Sequence, residues 1–197
     1  MEELFKEILW WEKVKELWSE LAKELEKREV TFRVADFDYT LFSRDEQFKW
    51  IPELLENRAD KWPLYLYEKY GMNSFIKEYY KDKKLPTEIL SKLDSTQDII
   101  MTAWGSKDFQ IAKIRSCKQL DAFRAIVTQN GQDKVPELIR YVIFELRYIP
   151  SKIIIYEDRP QYFIQYRELI EWVLGCELTI MKVVMDGNDG YKKIEQD

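Results

Sequence analysis

A chain of 197 residues that is 46% hydrophobic, with seven Trp, twelve Tyr and ten Phe, can bury one sizeable core with a small insertion but is too short for two full domains. Its net charge of -5 and pI near 5.1 argue against a general nucleic-acid coat, which needs a basic face. With no histidine, Ser-His and Cys-His hydrolases and imidazole zinc sites are excluded, and Cys117 and Cys176 form neither a disulfide framework nor a metal-ligand spacing. No run approaches the roughly 20 apolar residues of a membrane span and no signal-peptide core opens the chain, so the expectation is a cytoplasmic protein with no membrane partner. Lys and Glu richness with few Asn is a thermophilic composition.

From Glu2 to Arg28, Leu4, Ile8, Trp11, Val14, Trp18, Leu21 and Leu25 recur at three- and four-residue steps, which predicts an amphipathic helix over residues 1–29 packed on the core. The spacing also fits heptads, leaving open a homodimer seam through this helix. Val30 to Asp36 reads as the first strand. The stretch Val34-Ala35-Asp36-Phe37-Asp38-Tyr39-Thr40-Leu41-Phe42 then delivers two carboxylates two residues apart. In an extended chain these lie on one side, so both can face one phosphate or one metal ion. Like charges that close are unfavourable unless a cation or a shared proton relieves them, and the pair reads first as a metal site.

Residues 45–84 break the rhythm at Pro52, Pro63 and Gly71 and are crowded with aromatics, from Phe48 to Tyr80. They predict a small helical cap over the strand end, its rings serving mainly as core. From Pro86, helix and strand alternate as in a parallel sheet. Helices are expected at Pro86–Leu93, Asp108–Gln119, Lys134–Leu146 and Gln161–Leu174, and strands at Asp98–Thr102, Phe123–Val127, Lys152–Tyr156 and Leu178–Met185. The tail from Asp186 reads as a turn and a frayed end. The predicted class is α/β: a Rossmann-like parallel sheet of about five strands flanked by helices, its core formed by residues 30–44 and 85–197.

Ligands of open parallel sheets collect beyond the carboxyl ends of the strands, so the residues there are informative. The first strand ends in Asp36 and Asp38, the second in Thr102, and the fourth in Glu157, Asp158 and Arg159, while Lys134 follows the third at the front of a helix. The order Asp-x-Asp-x-Thr-Leu-Phe, an apolar strand ending in Thr, a Lys before a helix and an apolar strand ending in acids resembles the haloacid dehalogenase superfamily. Ile153-Ile154-Ile155-Tyr156-Glu157-Asp158-Arg159 is similar to a variant found in phosphatase-like domains of RNA-repair proteins, with Tyr162 where those carry a histidine. The resemblance spans about residues 30 to 185 and omits the first helix and most of the insertion.

That resemblance implies a phosphohydrolase or phosphotransferase acting on a phosphate monoester, either a phosphorylated small molecule or a nucleic-acid end. It makes Asp36 the nucleophile that carries an aspartyl-phosphate and Asp38 the acid and base for the leaving oxygen and the attacking water. Thr102 would hydrogen-bond a phosphoryl oxygen and Lys134 would offset the negative charge. Mg2+ or Mn2+ would be held by Asp36, Asp38 through its backbone carbonyl, Asp158 and Glu157. A second reading takes Asp36-x-Asp38 as the metal-binding motif of a GT-A-like glycosyltransferase using a nucleotide-sugar. A third takes the chain as a non-catalytic interaction protein on the same fold.

Overall fold

The computed structural model describes residues 2–43, 71–81, 83–104, 106–187 and 190–197. Helix α1 (Glu2–Lys23) is followed by β1 (Lys27–Ala35). The predicted helix over 1–29 thus stops early, because Lys27 and Arg28 pair with Ile149 and Pro150 of the fourth strand, and that pairing overrides the helical periodicity at its end. Most of the predicted cap at 45–84 lies outside the described residues. Its described remainder is α2 (Met72–Tyr79) and the chain leading to α3 (Thr87–Leu90).

The regular alternation then runs through β2 (Ile99–Ala103), α4 (Lys107–Ser116), β3 (Arg124–Thr128) and α5 (Lys134–Tyr141). Beyond them come β4 (Ile149–Glu157), α6 (Gln161–Gln165), α7 (Arg167–Leu174), β5 (Glu177–Asp186) and β6 (Gly190–Gln196). Three predicted helices are broken. The one at 108–119 gives way at extended Cys117 to a 3-10 turn over Lys118–Leu120. The one at 134–146 changes to a π-helical turn over Val142–Leu146 that ends at left-handed Arg147, and the one at 161–174 bends at Tyr166, whose φ of -112° and ψ of 16° are non-helical.

The sheet order is β3-β2-β1-β4-β5-β6. The first five strands are parallel, whereas β6 is antiparallel to β5, with Asp186 opposite Gly190 and Met181 opposite Gln196. The tail is therefore a sixth strand, which corrects the expectation of a frayed end. Lys192, Lys193 and Glu195 gave it a polar look, but charged outward residues are how an edge strand is kept from pairing further. Tyr191 and Ile194 meanwhile pack against the core.

Side chains alternate across the sheet and feed two cores, as the period of two requires. Phe32 and Val34 of β1, Ile99 and Met101 of β2, and Ile153 and Ile155 of β4 meet α1, α5, α6 and α7 on one face. Ala35, Ile100 and Tyr156 meet α2, α3 and α4 on the other. Of the rings predicted for the cap, Phe75 and Tyr80 are buried in this second core and pack with Phe42 and Phe109. Asp98, predicted as the start of a strand, instead lies just before β2 and staples the turn there to the carboxyl-terminal half of β1: its buried carboxylate accepts the backbone N–H of Arg33 at 2.7 Å and of Asp94 at 2.8 Å. Among the described residues no helix is long and apolar enough to cross a membrane.

Because β1 has β2 on one side and β4 on the other, the winding direction reverses between β1 and β4. The carboxyl ends of those two strands consequently flank a crevice where neighbouring loops diverge.

Candidate functional site

At the end of β1 the Asp36 amide still donates to Tyr156 of β4, at 2.9 Å, which carries the ladder one residue past Ala35. Beyond it the chain curls tightly. The Phe37 carbonyl accepts the amides of Leu41 at 3.0 Å and Phe42 at 2.9 Å, and Tyr39 takes a left-handed φ of 62°, a conformation in which a ring-bearing residue is strained. The curl is pinned by burial: Phe37, Leu41 and Phe42 are fully buried, the Phe37 and Phe42 rings stack at 5.5 Å, and Tyr191 of β6 donates its hydroxyl to the Thr40 carbonyl at 2.8 Å. The strand therefore ends before the second aspartate, and Asp36 and Asp38 do not share one counter-ion across an extended chain. Each has its own lysine.

Asp36 faces Lys134, from the first turn of α5. The buried Lys134 Nζ lies 3.1 Å from Asp36 Oδ1 and donates to Glu157 Oε2 at 2.6 Å. Asp36 Oδ1 is buried and held by this ion pair, with no further hydrogen bond among the described residues. Ligand oxygens of Asp36, Glu157 and Asp158 lie within 4.8 Å of one another. Three carboxylates thus crowd around one buried ammonium, with Arg159 reaching Asp158 only at 3.6 Å from a largely exposed position.

The electrostatics follow from that surplus. Burial, reinforced by the charge on Asp36, pushes the Asp158 carboxyl up to about 6. Glu157 is likewise held well above the carboxylate range, by burial first and Asp36 second, against the pull of Lys134. Burial alone would lower Lys134, but Asp36 and Glu157 outweigh it and keep the ammonium firmly charged. A group of acids whose ionisation is opposed this way gains most from a bound cation. The residues fit one: the donors are hard oxygens, they converge from two strands, and three carboxylates share a single ammonium.

Asp38 belongs to a second polar cluster. Lys113 and Gln110 of α4, both fully buried, lie on the helix face that also buries Phe109 and Ile114. Lys113 Nζ is 2.9 Å from each Asp38 oxygen and donates to Gln110 Oε1 at 2.8 Å. Gln110 Nε2 donates to Asp38 Oδ2 at 2.8 Å and to Thr102 Oγ1, at the end of β2, at 3.1 Å. The ammonium also lies over the rings of Tyr80 and Trp104, each 5.1 Å from its centroid, contacts that favour a desolvated cation.

The two clusters open on one cavity of about 150 Å³, lined by Asp36, Asp38, Thr102, Lys134, Glu157 and Asp158 with Tyr39, Trp104 and Tyr162 among its walls. Gly131, in the loop before α5, lets Tyr162 approach; a Cβ there would overlap the tyrosine ring. Comparison with family models, with curated proteins and with solved structures gives no match. The case for a function therefore rests on this chain alone.

Every residue singled out in the sequence lines this cavity, but their groupings differ from those expected. Asp36, Glu157 and Asp158 form the acidic cluster, whereas the Asp38 carboxylate stands apart on Lys113, and Thr102 reaches it through Gln110. Gln110 is a functional candidate that motif reading misses, and Lys113 is one of several lysines, with Lys107 and Lys118, that the sequence puts near the sheet edge without choosing among them. The spacing of three between Gln110 and Lys113 on one helix puts them on a common face, but nothing in the sequence tells that this face turns toward the strand ends rather than to solvent.

Proposed function

We propose that the chain is a metal-dependent phosphohydrolase or phosphotransferase of haloacid dehalogenase type, acting on a phosphate monoester through an aspartyl-phosphate. The observation that carries this reading is the convergence, at one sheet edge and beside the strand-order reversal, of a buried aspartate ion-paired to a buried lysine, two further carboxylates and a threonine hydroxyl around a cavity of about 150 Å³.

In this mechanism an Asp36 oxygen attacks phosphorus while the bond from phosphorus to the leaving alcohol oxygen breaks. The Asp38 carboxyl, protonated at this stage, gives its proton to that oxygen and is left as the carboxylate that Lys113 offsets, its ammonium 2.9 Å from both oxygens. Water then attacks the phosphorus, the bond to Asp36 breaks, inorganic phosphate leaves, and the proton lost by the water returns by the same route. Thr102 donates to a phosphoryl oxygen and Lys134 balances the negative charge that gathers between Asp36 and the phosphoryl group. Mg2+ or Mn2+, held by Asp36, Glu157 and Asp158 with the Asp38 carbonyl, would neutralise phosphoryl charge when bound.

The nucleotide-sugar reading asks Asp36 and Asp38 to hold one ion together; their separate lysines favour phosphoryl transfer. Mg2+-dependent hydrolysis of 4-nitrophenyl phosphate tests the proposal. It should be abolished in Asp36→Asn without loss of the folded state. An Asp36→Asn protein that hydrolyses the ester at the wild-type rate excludes the covalent route, and cleavage of a nucleotide-sugar in place of the ester favours glycosyl transfer.

A further inference from the structure

The polar cluster on α4 carries more than the neutralisation of Asp38. We infer that Gln110 is a positioning residue that turns the Thr102 hydroxyl into a donor aimed at a phosphate in the cavity, with Lys113 as the group that fixes which way the Gln110 amide faces. The inference rests on the phosphoryl-transfer reading and extends it to residues outside the four sequence segments.

The argument is one of hydrogen-bond accounting. A glutamine side chain has one acceptor oxygen and two donor hydrogens, and its two faces are otherwise interchangeable. Lys113 Nζ can only donate, and at 2.8 Å it donates to Gln110 Oε1, so the oxygen is committed and the NH2 group must point the other way. Both hydrogens of that group are then used, one on Asp38 Oδ2 at 2.8 Å and one on Thr102 Oγ1 at 3.1 Å. Thr102 Oγ1 therefore accepts. Its own hydrogen has no acceptor among the described residues, while Thr102 is almost fully buried and lines the cavity. A hydroxyl that already accepts from an amide, with its hydrogen left over at the wall of a cavity, is prepared to donate to an anion there.

Burial points the same way. Burying an ammonium and a carboxylate together returns little net stability, and apolar residues of similar volume often serve as well. Around Lys113 the fold has such residues in place, with Phe37, Tyr80, Trp104 and Phe109 all within 5.7 Å of the ammonium. The charged pair and its amide are explained by what they orient: Asp38 at one end of the chain of bonds and Thr102 at the other.

The test is a double-mutant cycle on the Mg2+-loaded full chain, with inorganic phosphate as the probe in calorimetry and 4-nitrophenyl phosphate in kinetics. Gln110→Leu removes both donors at similar volume and should weaken phosphate binding about tenfold and raise KM with a smaller effect on kcat, the loss expected for one hydrogen bond to a charged group. In phosphate affinity Thr102→Val should cost about as much, and the double variant no more than Thr102→Val alone, because Gln110 reaches the phosphate through Thr102, whereas its bond to Asp38 bears on kcat. Lys113→Met should lower kcat more than it raises KM, since it frees Asp38. If Gln110→Leu does not fold, Gln110→Met takes its place. Additive losses in the cycle, or an unchanged phosphate affinity in Gln110→Leu, overturn the inference, as does a wild-type chain that binds no phosphate. Phosphate binding with a non-additive cycle but no ester hydrolysis supports the positioning role and overturns the phosphatase reading instead.

Discussion

Asp158→Asn should stabilise the metal-free protein at pH 8 and do almost nothing at pH 4. Burial and the charge of Asp36 raise this carboxyl from 3.8 to about 6, so between those values the folded chain binds more protons than the unfolded one. The sign follows: for a raised acid, stability falls as pH climbs through this window, because above it the folded state must hold a charge it disfavours. A shift of about two units corresponds to roughly 3 kcal/mol, which is an upper bound because Asp36, Glu157 and Asp158 relieve one another once one is neutral. For a chain of this length that is about 6–12 °C in Tm at most. Thermal unfolding in chelator at pH 4 and pH 8 measures it. Millimolar Mg2+ should reverse the order at pH 8, raising the wild type, which keeps all three carboxylates, above the variant. A variant stabilised equally at both pH values, or a wild type indifferent to Mg2+, Mn2+ and chelator at pH 8, would refute the picture of three crowded acids awaiting a cation.

Lys134→Met should be severe, costing about 3–5 kcal/mol, since it leaves Asp36 and Glu157 buried without their shared ammonium; urea unfolding at pH 7 measures the loss, and a cost below about 1 kcal/mol would show the pair to be solvated. Asp98→Ala should destabilise by about 2–4 kcal/mol through the orphaned amides of Arg33 and Asp94, with phosphate affinity unchanged because Asp98 and Arg33 do not line the cavity; altered affinity would show coupling along β1 and β2. Gly131→Ala should push Tyr162 off the cavity wall and cost about 1–3 kcal/mol in overpacking, and adding Tyr162→Ala should recover most of it. A Gly131→Ala chain that melts with the wild type would mean that the loop yields freely.

Much of the architecture was present in the amino-acid order. Alternating helix and strand patterns, the apolar run of Ile153-Ile154-Ile155, and polar residues handed over at successive strand ends were enough to predict a parallel sheet flanked by helices with its site at one edge. Such patterns are local, and burial on both faces leaves a signature in each segment separately. Local reading failed where a long-range partner decided. Lys27 and Arg28 left the helix for β4, and Gly190–Gln196 became a strand because β5 offered an open edge.

In the site, local order nominated Asp36, Asp38, Thr102, Lys134, Glu157 and Asp158, because carboxylates, a threonine and a lysine at strand ends can be read residue by residue. Which of them act together was set by folding. The left-handed Tyr39 and the buried Phe37 and Phe42 curl the chain so that two aspartates two residues apart take different lysines, and α4 brings in Gln110 and Lys113 from more than seventy positions away. Pairing between charges depends on distance in space, and only the packed sheet and helices determine that distance.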